Sequence, residues 1–166
     1  MTNQTQDLEQ RAREVLNVIE RQGVDWVRGS STLTPHLQYG LEQGLYDQSV
    51  VDGVQKKYRA SEAREVLNVI ERQGVDWVQR SSTLNPHLQY GLEQGLYDQS
   101  AVDGAQKKYR ASEAREVLNV IERQGIDWIH RSATLTLHLR YGLENGLYGR
   151  SEMDLAQERY EASRRK

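Results

Sequence analysis

The chain has 166 residues, of which 28% are charged and 37% hydrophobic, and its formal net charge is −2. This composition is typical of a folded protein with one domain or a few small ones, and it excludes a strong overall field toward nucleic acid or anionic lipid. Because there is no cysteine, disulfides, thiolate catalysis and cysteine-ligated zinc are excluded as well.

The opening segment MTNQTQDLEQRAR is polar and acidic, without the apolar stretch of a secretory signal. No part of the sequence reaches the roughly 18–20 apolar residues that a membrane helix needs. We therefore expect a soluble, cytoplasmic protein with no membrane partner, in which residues 1–11 form a partly helical N-terminal extension.

The segment AREVLNVIERQG occurs three times without a change, and alignment around it gives three 51-residue sequence repeats without a gap: 12–62, 63–113 and 114–164. The first two repeats differ at only five positions, which are 28/79, 29/80, 34/85, 50/101 and 54/105. The third has diverged further. It often keeps apolar positions apolar, as in Val75 to Ile126, but reverses charge freely, as in Lys107 to Glu158. This contrast indicates a packed face and a solvated face.

Each repeat is predicted to form three short helices. The first carries AREVLNVIERQ, which is rich in helix-forming residues and places its apolar side chains on one face. A glycine follows that helix in every repeat, where a C-cap glycine is expected: Gly23, Gly74 and Gly125. The second helix is predicted to begin at Asn85-Pro86 and to end at Gly95, and the third to begin at Ser100.

The junction between repeats is predicted to be a continuous helix. From Ser49 to Gln73 there is no proline, and Gly53 is the only glycine. The apolar stripe rotates by roughly 100° or more across the junction, as a helix shared by two cores requires. The alternative is a break at Ala60 with Ser61 as a new N-cap. The predicted fold is therefore an all-α tandem array of three near-identical 51-residue three-helix repeats, with adjacent repeats joined through a helix.

One tryptophan follows the first helix of each repeat: Trp26, Trp77 and Trp128. Valine or isoleucine flanks each of them, which predicts that the tryptophan is the structural anchor of its repeat's core. A stacking site for bases or ligands is the alternative.

One histidine lies near the start of each second helix: His36, His87 and His138. If the array closed into a ring, these side chains could converge on a metal ion, but no second ligand lies three or four residues away. We therefore predict no metal site and keep the three histidines as minor candidates. His130 has no counterpart in the other repeats and is predicted to lie on the surface.

The segment QKKYRASEAR interleaves basic residues with tyrosine, a pattern that also occurs in nucleic-acid binding. The third repeat has QERYEASRRK instead, a reversal of charge that makes nucleic acid an improbable partner. Gly40 and Gly44 are spaced four apart, and we expect one to permit a close approach and the other to stop a helix. No nucleophile, base and acid are arranged for catalysis, so neither an enzyme nor a cofactor is predicted.

The helix, GLYDQS turn and helix resemble, over about twenty residues per repeat, the helical-hairpin oligomerisation modules called SHOCT domains; the third repeat has GLYGRS at this turn. No function is carried over from this resemblance. The residues favour a non-enzymatic interaction or scaffold protein that presents one surface three times to protein partners of unknown identity, and homo-oligomerisation stays open. The alternatives are an engineered or consensus-type symmetric repeat protein with no natural ligand and, as a minor one, a metal- or nucleic-acid-binding array.

Overall fold

The computed structural model describes residues 3–165, and this part of the chain contains ten α-helices and no strand. The all-α prediction is confirmed. The helices are α1 Asn3–Gln22, α2 Val24–Gly29, α3 Leu33–Glu42, α4 Gln48–Gln73, α5 Val75–Arg80, α6 Leu84–Glu93, α7 Gln99–Gln124, α8 Ile126–Arg131, α9 Ala133–Glu144 and α10 Arg150–Arg164. None of these helices is both long and apolar enough to cross a bilayer.

The chain divides into two compact units. Unit 1 combines the chain up to Val66 with Ser82–Tyr97, whereas unit 2 combines Leu67–Ser81 with the chain from Asp98 onward. The middle sequence repeat, 63–113, therefore contributes residues to both units. The division into an extension and three repeats at 12, 63 and 114 stays a prediction. Helix α1 begins at Asn3, so residues 3–11 are helical and continue directly into the first sequence repeat.

The helices that cross the sequence-repeat junctions are unbroken. Helix α4 runs through Ser61, so this residue is inside a helix and is not an N-cap. Helix α7 has the same length of 26 residues. The prediction of a continuous helix at each junction is confirmed.

The two halves of α7 bury different faces. Val102 and Ala105 are the buried residues of the first half, and Ala114, Val117 and Ile121 are those of the second. At about 100° per residue, the second set lies roughly 120° around the helix axis from the first. This rotation agrees with the shift of the apolar stripe that the sequence predicts.

Each unit has a buried core of the same design. In unit 1, α1 packs against α2 and α3, and the core consists of Val15, Ile19, Val27, Leu37, Tyr46 and Val51. In unit 2, α7 packs against α8, α9 and α10, and the core consists of Ala114, Val117, Ile121, Ile129, Leu139, Tyr148 and Ala156. The apolar residues of AREVLNVIERQ supply one wall of each core, since Val15 and Ile19 occupy the same repeat positions as Val117 and Ile121.

The helix starts differ from those predicted. Helix α6 begins at Leu84 instead of Asn85. The cap of α7 is Asp98 instead of Ser100, because the Asp98 carboxylate accepts hydrogen bonds from the Ser100 hydroxyl (2.6 Å) and the Ala101 N–H (3.0 Å). The bond from Ser100, followed by that from Ala101, lowers the pKa of Asp98. A carboxylate directly before the helix outcompetes the hydroxyl because it also interacts favourably with the helix dipole.

Candidate interaction grooves

The prediction that the tryptophans anchor the cores is wrong. Trp26, Trp77 and Trp128 are 63%, 59% and 52% exposed. Each lies on a six-residue helix whose inward face is set by residues three apart, such as Val24 and Val27 on α2. Val27 is fully buried, and Trp26, one position earlier, is turned about 100° away from it. The three-apart spacing of the small side chains therefore decides which face is buried, and the tryptophans are left on the surface.

A tyrosine packs against the glycine that precedes each of these short helices. The ring of Tyr58 covers Gly23 so closely that a Cβ at Gly23 would lie 2.7 Å from it. Gly23 has a φ of 84° and a ψ of 158°, so it turns the chain sharply between α1 and α2 in a conformation that favours glycine. Gln55, one turn before Tyr58, accepts a hydrogen bond from the first N–H of α2 at Val24 (2.7 Å). Together these contacts fix α2 against α4 within unit 1.

The same glycine, tyrosine and glutamine contacts recur in unit 2. Gly74 lies beneath Tyr109, and the N–H of Val75 donates to Gln106 at 2.7 Å. Gly125 is likewise beneath Tyr160, with Ile126 donating to the Gln157 side chain at 2.8 Å. The three predicted helix-ending glycines all have φ between 82° and 85° and ψ between 158° and 160°. The positive φ matches the C-cap that the sequence suggests, but ψ differs by about 110° from the value of a left-handed helical C-cap.

In unit 1 these contacts form the floor of an open groove of about 420 Å³, which we call groove A. Its lining residues are Gln22, Gly23, Asp25, Gln55, Tyr58, Arg59, Pro86, His87, Gln89, Tyr90 and Glu93. His87 meets Tyr58 edge to face, with ring centroids 6.2 Å apart. The guanidinium of Arg59 lies 5.8 Å from the centre of the Tyr90 ring. Two aromatic contacts therefore hold α6 against α4 across the groove.

Unit 2 contains a second groove of about 610 Å³, which we call groove B. Its lining residues are Gln73, Gly74, Asp76, Trp77, Arg80, Gln106, Tyr109, Arg110, Thr134, Leu137, His138, Arg140, Tyr141 and Glu144. His138 meets Tyr109 edge to face at 6.3 Å, and Arg110 lies 6.0 Å from the Tyr141 ring centre. The Nε2 atom of His138 is 3.9 Å from a Glu113 carboxylate oxygen.

The two grooves match residue by residue. Every one of the eleven residues that line groove A has a counterpart 51 positions later in the lining of groove B. Nine of these eleven pairs are identical, and the two that differ are Pro86/Leu137 and Gln89/Arg140. Groove B adds Trp77, Arg80 and Thr134 to its lining.

The grooves differ in charge. Groove A has one arginine, Arg59, and the two carboxylates of Asp25 and Glu93. Groove B has two carboxylates at the matching positions, but three arginines face them. Burial, followed by the nearby carboxylates Glu62 and Asp25, raises the pKa of Tyr58, and the pKa of Tyr109 is raised by the equivalent causes. Both phenols therefore stay protonated at neutral pH and can donate a hydrogen bond into their grooves.

The three candidate histidines are not gathered at a metal centre. His87 lies in groove A and His138 in groove B, each against a tyrosine, while His36 is half-buried near the start of α3. Within residues 3–165, no three histidine, aspartate or glutamate side chains are close enough together to hold a metal ion.

No protein-family model, curated protein or solved structure matches the chain. No family match therefore supports the resemblance of the GLYDQS turn to SHOCT modules.

Sequence reasoning missed the tyrosines and glutamines that build the groove floors. A signal for them is present in the repeats themselves. The third repeat changes the charge of Lys107 and Arg110 but keeps the glutamine and the tyrosine of the same segment, as Gln157 and Tyr160. Side chains that stay constant among changing surface charges are those that make specific contacts.

Proposed function

We propose that the protein is a non-enzymatic interaction protein, built as an array of three 51-residue, three-helix repeats joined through helices, which binds peptide segments of partner proteins in repeated grooves. The observation that supports this proposal is the recurrence of groove A as groove B, with nine of eleven lining residues identical. Two like sites on one chain raise the avidity for a partner with two like segments, without any new contact.

The chemistry of the grooves suits binding. Both are lined by two tyrosines, a histidine, at least one arginine and at least two glutamines, which offer flat aromatic surfaces beside hydrogen-bond donors and acceptors. Aromatic residues and arginine are the side chains most enriched at interface hot spots. Neither lining contains a serine or cysteine nucleophile next to a histidine, the arrangement that acyl transfer requires.

The absence of native cysteine makes a direct test simple. Peptides are first selected on the full chain from a random display library. They are then titrated against chains carrying one cysteine, at Gln89 in groove A or at Arg140 in groove B, before and after labelling with a bulky maleimide. We expect each label to remove one binding site. The matched control is a cysteine at Gln38, the same repeat position outside both grooves, where labelling should leave both sites intact.

Circular dichroism melting checks that each labelled variant is folded. Enrichment of no peptide, or binding with the same stoichiometry after labelling at both positions 89 and 140, would show that the grooves are not interaction sites.

A second candidate is an engineered, symmetric repeat protein without a natural ligand. The observation that favours it is the near-identity of residues 12–62 and 63–113, which differ at five positions. The display selection separates the two candidates, because a scaffold without a ligand should enrich no peptide at either groove.

A further inference from the structure

The third sequence repeat has changed most clearly at one surface beside groove B. A shallow depression there is lined by His130, Arg131, Ala133, Thr136, Leu137 and Arg140. Five of these six residues differ from those at the matching positions of the second repeat, and only Arg131 is kept. Leu137 and Arg140 also line groove B, so the depression and the groove form one continuous surface within unit 2. We call this surface the Arg–Leu patch.

An exposed leucine lies at the centre of the Arg–Leu patch. Leu137 is 59% exposed, the highest value for any leucine among the described residues. Both other repeats have proline at this position, Pro35 and Pro86. The replacement lets α9 begin at Ala133, two residues earlier relative to the repeat than α6, because leucine can donate the backbone hydrogen bond that proline lacks. Trp77 is exposed on the groove B side of the same surface.

Arginines surround this apolar centre. Four of them line the patch: Arg80, Arg110, Arg131 and Arg140. The same lining contains only two carboxylates, those of Asp76 and Glu144. The Nε atom of Arg140 is 3.7 Å from Glu144, but both side chains are about two-thirds exposed, so this ion pair is weak. An incoming carboxylate can therefore compete for the Arg140 guanidinium.

Groove A lacks this combination. Its matching positions carry Pro86 and Gln89. A neighbouring basin in unit 1 does contain three cations, Arg28, Lys56 and Arg59, together with Asp52, but it has no leucine in its lining. The feature that separates the two units is therefore the exposed leucine between arginines, and not positive charge alone.

We infer that the Arg–Leu patch binds an acidic peptide segment, whose apolar side chain packs on Leu137 and Trp77 while its carboxylates pair with the surrounding arginines. This inference rests on the proposed function and assigns a partner chemistry to one of its two grooves. Planar guanidinium groups bind carboxylates in pairs of parallel hydrogen bonds, and the apolar centre gives the segment its register. A nucleic acid fits less well, because it carries no aliphatic side chain to pack on the exposed Leu137.

The test uses a fluorescein-labelled ten-residue peptide of glutamates, with leucine at its fourth and seventh positions, titrated against the full chain by fluorescence anisotropy. Two control peptides replace all glutamates by glutamine or both leucines by serine. We expect one acidic peptide to bind per chain, and each control peptide to bind about tenfold more weakly.

The protein variants use residues that the chain itself offers. Arg140→Gln restores the residue of groove A and should weaken binding roughly threefold to tenfold, since the guanidinium is solvent-exposed. Leu137→Ser removes the apolar centre without a helix-breaking proline and should weaken binding by a similar factor. The transplant Gly29→Arg, Pro86→Leu and Gln89→Arg supplies the residues that match Arg80, Leu137 and Arg140. It should create a second site, which would raise the stoichiometry toward two peptides per chain. Melting curves confirm that each variant is folded.

Equal binding of the acidic and the glutamine peptides, or equal affinity of the wild type and Arg140→Gln, would overturn the inference. It would also be overturned if a single-stranded oligonucleotide bound more tightly than the peptide and lost affinity in Arg140→Gln. After either of these outcomes, the labelling experiment decides whether the proposed function stands. If labelling at position 89 or 140 still removes a binding site for library-selected peptides, only the assignment of an acidic ligand fails. If labelling at neither position changes the binding of these peptides, the proposed function fails together with the acidic assignment.

Discussion

Grooves A and B share a floor and differ in their rims. The floor of each is a glycine under a tyrosine ring, with a glutamine that accepts the first N–H of the next helix. These contacts require one particular residue at each position, because a Cβ would collide with the ring and a shorter side chain could not reach the N–H. The rim positions, such as Gln89 and Arg140, are exposed and carry no such constraint. A repeated groove can therefore change its ligand preference without a change in its architecture.

The two cores show a different kind of tolerance. Unit 1 buries Val51 and partly buries Val54, whereas the matching positions of unit 2 hold a partly buried Met153 and a buried Ala156. From unit 1 to unit 2, a larger side chain replaces Val51 and a smaller one replaces Val54, one turn away. Cores accept such exchanges when the total apolar volume is kept. Between the two units, the cores thus keep their approximate side-chain volume, and the groove floors keep the identity of their residues. The rims keep neither.

The largest expected effect is the difference in the free energy of unfolding between substitution of a core residue and substitution of an exposed tryptophan. Ile129→Ala removes a fully buried side chain from the unit 2 core and should lower the free energy of unfolding by about 2–5 kcal/mol. Trp128→Ala, one residue earlier, removes a larger but half-exposed side chain and should change it by about 0.5 kcal/mol or less. Urea unfolding measures both. A loss in Trp128→Ala as large as that in Ile129→Ala would restore the tryptophan as the anchor.

The tryptophan error shows which part of the fold could be predicted from the sequence. Helix type, the continuous helices through Ser61 and Ser112, and the rotated apolar faces all follow from local periodicity and propensity, and all three agree with the structure. The tryptophan prediction relied on side-chain size. In a six-residue helix, however, only two positions about one turn apart face the core, and Val24 and Val27 occupy them.

The grooves could not be predicted in the same way. Tyr58 lies above Gly23 only because α4 folds back along α1 and α2, and nothing in the local sequence of either segment specifies that contact. Each groove is lined by residues from three separate stretches of the chain. Repetition within the sequence identifies the residues that are kept, but it does not say which of them meet.

A smaller effect should test whether the two units depend equally on the glycine inside α3 and the glycine inside α9. Gly40 in α3 and Gly142 in α9 lie directly beneath the rings of Tyr46 and Tyr148, where a Cβ would overlap the ring. Gly40→Ala and Gly142→Ala should each lower the free energy of unfolding by about 1–3 kcal/mol, despite the better helix propensity of alanine. Guanidinium unfolding of the two variants should give losses of similar size.

Gly104 in α7 is the matched control. It also lies within a helix, but a Cβ there would meet nothing within 4 Å. Gly104→Ala should therefore stabilise the protein by about 0.5–1 kcal/mol. Losses of very different size at Gly40 and Gly142 would show that the two units do not share one packing scheme, and a loss at Gly104 would show that the helix itself, and not the ring, resists the substitution.

The smallest effect should appear at high pH, through the tyrosines whose rings cover Gly40, Gly91 and Gly142. Burial raises the pKa of Tyr46, Tyr97 and Tyr148 above the usual value for a phenol. Above the unfolded-state pKa of about 10, the unfolded chain therefore binds fewer protons than the folded chain, and stability falls as the pH rises through the folded-state values. Replacing all three by phenylalanine removes their hydroxyl hydrogen bonds and lowers stability at neutral pH. It should also make the decline above pH 10 shallower, because these phenols no longer titrate. Unfolding curves recorded across this range compare the slopes, and an equally steep decline in the triple variant would assign the alkaline loss to other groups.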